Sequence, residues 1–118
     1  MKVLVADDSK LARLSVIKEF KNVFQGEVEF FEAENGRIAI EVFKKELPKI
    51  VFLDLTMPEK TGYEALEEMM KINSDASVVV ISADVQPKSV QKVKELGAKT
   101  HVAKPISTEK MTEIFTIL

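Results

Sequence analysis

IVFLDLTMPEKTG, residues 50–62, runs an apolar stretch directly into Asp54 and then meets Pro58. A strand that is apolar on both faces must be covered on both faces. That marks an interior strand of a parallel sheet rather than a half-solvated antiparallel one. Ending such a strand on a carboxylate makes sense only if the strand end opens onto a site, because a charge left in the core is heavily penalised by desolvation. Asp54 is therefore expected exposed at a shared rim, not buried in the core.

The rest of the chain supports this reading. Strand candidates at Lys2–Ala6, Glu27–Ala33, Lys49–Leu53, Ser77–Ile81 and Thr100–Ala103 alternate with segments whose apolar residues recur at three and four. Ile17, Phe20 and Phe24 form one stripe, backed by Ala12, Val16 and Val23. Ile38/Val42 and Ala39/Phe43/Leu47 repeat at four in the second helix. Leu66, Met69 and Met70 follow, then Val90, Val93 and Leu96, and last Met111, Ile114, Phe115 and Leu118. Asn35 and Ser107 suit helix N-caps, Pro87 a first helical turn and Gly97 a C-cap. The methionines at 57, 69 and 70 read as core filler.

A (βα)₅ alternation predicts an α/β, flavodoxin-like doubly wound parallel sheet with helices on both faces. VLVA, IVFL and VVVI are apolar throughout and belong inside. EVEFFEA alternates and THVAK is mixed, so the second and fifth strands take the edges. The strand order is then 2-1-3-4-5.

Composition bounds the function. The 118 residues suffice for one domain, taken as residues 1–118. Net charge is −2, so no broad basic field attracts nucleic acid or anionic lipid. There is no cysteine, which removes disulfides and thiolate chemistry, and the one histidine, His101, cannot build a histidine metal cluster. The opening MKVLVADD is too short an apolar run for a signal core or a membrane span. A cytoplasmic protein without membrane insertion is expected.

Ligands of such sheets bind at the carboxyl ends of the strands near the order switch. Asp7 and Asp8 follow the first strand, Asp54 the third, Ser82 the fourth and Lys104 the fifth. Adjacent strands lie about 5 Å apart. Unpaired carboxylates there repel by roughly 1–4 kcal/mol per pair. A divalent cation relieves this, and an all-oxygen set with few carboxylates suits Mg²⁺. Asp54 is then both a metal ligand and a candidate nucleophile, since carboxylates form aspartyl-phosphates. Lys104 and the Ser82 hydroxyl would meet charge on the phosphoryl oxygens.

VADDSK, FLDLTMP, ISADV and VAKPI, in this order and each at a strand end, resemble the receiver domain of two-component response regulators over essentially the whole chain. The resemblance implies that Asp54 is the phosphoacceptor, supplied by a histidine kinase. It implies that Asp7, Asp8 and the backbone carbonyl of Thr56 join Asp54 in holding Mg²⁺, and that Lys104 pairs with the phosphoryl group. Pro105 is expected to follow a cis bond, and Gly62 to open the third helix. Ser82 would swing toward the phosphoryl group.

His101 stands where many relatives carry the aromatic switch residue, and the side chains of Thr56 and Asp84 would tune water access. A receiver of this kind promotes only its own phosphorylation and dephosphorylation. Its output surface in relatives is the fourth helix, fifth strand and fifth helix. No output domain follows Leu118, so action through a downstream protein is expected. A flagellar motor switch in chemotaxis is the leading candidate, with a phosphatase as a further partner. A phosphorelay intermediate or a phosphate sink fits the same residues. A Mg²⁺-dependent phosphatase with an Asp nucleophile fits poorly, because the second aspartate it needs at position 56 is threonine. A scaffold that has lost phosphorylation is disfavoured by the intact acidic set, and dinucleotide binding by the lack of a glycine-rich turn in ADDSK.

Overall fold

The computed structural model describes residues 1–118. Strands β1 (Lys2–Ala6), β2 (Glu29–Ala33), β3 (Ile50–Leu53), β4 (Ser77–Ser82) and β5 (Thr100–Ala103) alternate with five helices. These are α1 (Lys10–Val23), α2 (Gly36–Glu46), α3 (Gly62–Ile72), α4 (Pro87–Glu95) and α5 (Thr108–Phe115). The sheet is parallel throughout in the order β2-β1-β3-β4-β5.

Because β3 is apolar on both faces, two cores form. On one face Leu4, Val51, Leu53, Val78 and Val80 meet α2, α3 and α4 through Phe43, Leu66, Met69 and Val93. On the other, Val3, Val5, Phe52, Val79 and Ile81 meet α1 and α5 through Phe20, Met111 and Ile114. The edge strand β5 runs between α4 on one face and α5 on the other, so these three elements make one flank. No helix is long and apolar enough to cross a membrane.

The expected caps form: Asn35 Oδ1 accepts from the Ile38 N–H and Ser107 Oγ from the Lys110 N–H. Pro87 opens α4, and Gly97, at φ 112°, follows its end in the left-handed conformation that glycine tolerates best.

Some expectations need correction. Strands β2 and β3 start later than the apolar pattern suggested, at Glu29 and Ile50, and β4 runs on to include Ser82. Leu47 is not part of the α2 stripe: it caps the helix at φ 46° and is 54% exposed. Leu118 lies beyond α5 and is exposed for the same reason, the helix ending before its apolar repeat does.

Candidate functional site

The register places the acidic groups. Ala6 pairs with Leu53, so Asp7 and Asp54 each sit one residue beyond a ladder pair. The ladder still holds them there: the Asp54 N–H donates to Ala6 O at 2.9 Å and the Asp7 N–H to Ala33 O at 3.0 Å. Carboxylate oxygens of Asp7, Asp8 and Asp54 all lie within 4.8 Å of one another. Lys104 arrives in the same way from β5, its N–H donating to Ser82 O at 3.0 Å. Its Nζ lies 2.7 Å from Asp7 Oδ2 and 3.5 Å from Asp54 Oδ1.

This rim is not the open edge that the sequence suggested. Asp54 is only 5% exposed and Asp7 6%, while Asp8 faces solvent. The Lys104 ammonium lies against both inner carboxylates. Burial and the Asp7 charge push the Asp54 carboxyl above its usual range. The Lys104 ammonium and the Leu55 N–H oppose this without cancelling it. For Lys104, burial acts to lower the pKa, but the hydrogen bond to Asp7 and the charge of Asp54 outweigh it and the net direction is upward. Lys104 therefore stays an ammonium at neutral pH.

Three carboxylates against one ammonium leave the cluster two charges negative. The donors are all oxygen, and the carbonyl of Thr56 accepts no hydrogen bond within the protein. Such a set suits Mg²⁺, a hard cation that takes a few protein oxygens and keeps several waters.

Around this centre Gly62 opens α3 so close to the end of β3 that a Cβ there would meet Asp54 O at 2.1 Å. The Lys104–Pro105 bond is cis. Ser82 is buried, and its Oγ accepts the Asp84 N–H at 3.0 Å. Asp84 in turn accepts from the Gln86 N–H at 3.0 Å and the Ser89 hydroxyl at 2.6 Å, contacts that lower its pKa. The Thr56 side chain is exposed. His101 pairs in register with Val80, its Nε2 buried and unpartnered, and no contact joins it to the acidic cluster. Ser9 caps α1, its Oγ accepting from the Ala12 N–H, while Asp7 Oδ1 accepts from the Ser9 N–H at 2.9 Å.

One participant escaped the sequence reading. Arg13, on α1, donates from Nη1 to the carbonyl of Asp7 at 2.7 Å and from Nε to Glu32 Oε1 at 2.9 Å. Its signal was available: an arginine one turn past the cap points back at the loop that carries the acidic pair.

Comparison with known proteins agrees with this geometry. The profile of the response regulator receiver domain matches residues 3–116. The chain is 38% identical over 112 residues to chemotaxis protein CheY of Thermotoga maritima, covering 95% of this chain and 92% of that protein. It is 34% identical over 113 residues to sporulation initiation phosphotransferase F of Bacillus subtilis, covering 95% and 88%. It superposes on the CheX-CheY-BeF3-Mg complex from Borrelia burgdorferi with a TM-score of 0.79 at 27% identity, covering 98% of this chain and 89% of that one.

Proposed function

The chain belongs to the response regulator receiver domain family, and from that premise we propose that it is a single receiver domain, residues 1–118, switched by phosphorylation of Asp54. The observation that carries this is the placement of Asp54. It is a buried carboxylate with two further carboxylates within 4.8 Å and an ammonium 3.5 Å away.

A histidine kinase's phosphohistidine is the proposed donor. An Asp54 carboxylate oxygen attacks phosphorus while the P–N bond breaks. The electron pair stays on the imidazole nitrogen, and Asp54 is left as an acyl phosphate. Attack by water later returns the carboxylate and inorganic phosphate. Asp7, Asp8, Asp54 and the Thr56 carbonyl would hold Mg²⁺, which when bound offsets the negative charge gathered by the carboxylates and the phosphoryl oxygens. Lys104, already poised between Asp7 and Asp54, pairs with the phosphoryl group. The exposed Thr56 side chain and Asp84 flank the path by which water reaches it.

The response begins at Ser82. Its hydroxyl holds the Asp84 N–H in the unphosphorylated state, and turning toward the phosphoryl group breaks that bond. The β4–α4 loop is thereby freed, which biases the position of α4 and the affinity of the α4–β5–α5 flank for a partner. His101, on β5 within that flank, is the side chain best placed to move with it.

Similarity to CheY proteins supports a motility reading, with a flagellar motor switch as the downstream target in the cytoplasm. The likeness to CheY in complex with CheX supports a phosphatase partner. The likeness to a sporulation phosphotransferase supports a second reading, an intermediate that passes the phosphoryl group onward.

Intact-mass measurement after incubation with Mg²⁺ and a small phosphodonor tests the assignment. One added phosphoryl group is expected in the wild type and none in Asp54→Asn or after Mg²⁺ is chelated. A phosphorylated Asp54→Asn protein refutes it.

A further inference from the structure

We propose that Arg13 is a positioning residue for the acidic site: by holding the carbonyl of Asp7 it sets the direction in which the Asp7–Asp8 segment offers its carboxylates to a divalent cation. This rests on the Mg²⁺-dependent reading above and extends it to a side chain outside the cluster.

Arg13 is not a solvated surface charge. Its side chain is 12% exposed, and the guanidinium spans two acceptors, Asp7 O at 2.7 Å and Glu32 Oε1 at 2.9 Å. Asp7 is thereby held on every polar group it has. Its N–H binds Ala33 O, its carbonyl binds Arg13, Oδ1 takes the Ser9 N–H and Oδ2 takes Lys104.

Asp8 has no such support. Its carboxylate is exposed, and neither its side chain nor its backbone appears in any hydrogen bond of the loop. The direction of that carboxylate depends on the backbone that leads into it. The Asp7 carbonyl and the Asp8 N–H share one planar peptide, so fixing the oxygen fixes the plane from which Asp8 departs. Arg13 is the one side chain that grips this plane.

Glu32 completes the arrangement. A lone guanidinium this close to the cluster would repel a dication. The Glu32 carboxylate offsets that charge and fixes the plane of the fork. Lysine could supply the charge but not a rigid two-point hold. Residues that orient metal ligands from behind typically change metal affinity 10–100-fold when removed.

Calorimetric Mg²⁺ titration of wild type, Arg13→Ala and Arg13→Lys, with the metal-free melting temperature of each, tests the proposal. Arg13→Ala is expected to bind Mg²⁺ about tenfold more weakly, Arg13→Lys to fall between it and the wild type, and both to remain folded without metal. Wild-type affinity in Arg13→Ala overturns the proposal and leaves the phosphoryl-transfer reading intact. A loss in both variants that merely follows collapse of the metal-free fold also overturns it, since the role would then be stability alone. A wild-type protein that takes up no Mg²⁺ overturns both.

Discussion

At Asp54 the direction of the pKa shift predicts how stability depends on pH. Burial and the Asp7 charge raise the folded-state value, so folding favours the protonated carboxyl. The stability this contributes is present below the unfolded value, near 3.8, and is lost as pH rises through the folded value. Asp54→Asn removes that dependence. Without metal the variant should be more stable than the wild type at pH 7 by on the order of 1 kcal/mol, the size of a like-charge contact, with the gap closing toward pH 4. Denaturant midpoints at the two pH values check this, and identical midpoints at pH 7 contradict it. Mg²⁺ at a hundred times its dissociation constant should stabilise the wild type by about 2.7 kcal/mol, reducing or reversing the difference. The residue types of the site were legible: two aspartates, a third, a serine and a lysine, each at a strand end. Which aspartate is buried was not, because Asp7 and Asp8 are chemically identical neighbours, and only the loop's path turns one inward and the other to solvent.

Among the elements, α3 is the one whose start is set by the backbone that follows β3. Gly62 lies against the backbone of Asp54 and Leu55, and a Cβ there would come within 2.1 Å of Asp54 O and 2.6 Å of Leu55 Cα. Neither neighbour is a flexible side chain that could step aside. Gly62→Ala is therefore expected to destabilise the protein by about 1–3 kcal/mol and to slow phosphorylation by displacing Asp54. Urea unfolding and the rate of mass increase read the two effects separately. An unchanged midpoint would show that the helix simply moves. Helix starts were easier to read than helix ends. Asn35, Ser107 and Pro87 act through hydrogen bonds or a fixed φ within their own first turn, so local sequence suffices. Leu47 and Leu118 kept the apolar repeat going on paper, yet α2 and α5 stop short of them, because a repeat records spacing and not where packing partners run out.

For the whole molecule, the α1/α5 core is organised around Phe20. Its ring lies 5.6 Å from Phe24, 5.5 Å from Phe30, 5.9 Å from Phe52 and 5.0 Å from Phe115, centroid to centroid. The side chain is fully buried between helix and sheet. Phe20→Ala should cost about 3–5 kcal/mol, read as a lower urea midpoint with an unchanged slope. A cost below 1 kcal/mol would mean that this core can close over the gap. By itself the sequence determined the alternation of strands and helices, the two edge strands and hence the strand order. Periodicity, caps and the apolarity of each strand are properties of short segments, and the parallel sheet follows from their succession. The set of residues at the rim followed too, since a parallel sheet delivers every strand end to one side. Only the tertiary structure decided that Asp54 and Asp7 are covered rather than open, that Lys104 reaches across from β5 to both, and that Glu32 on β2 comes to rest beside Arg13. Those outcomes depend on where loops far apart along the chain come to rest against one another, and no short stretch of sequence holds that distance.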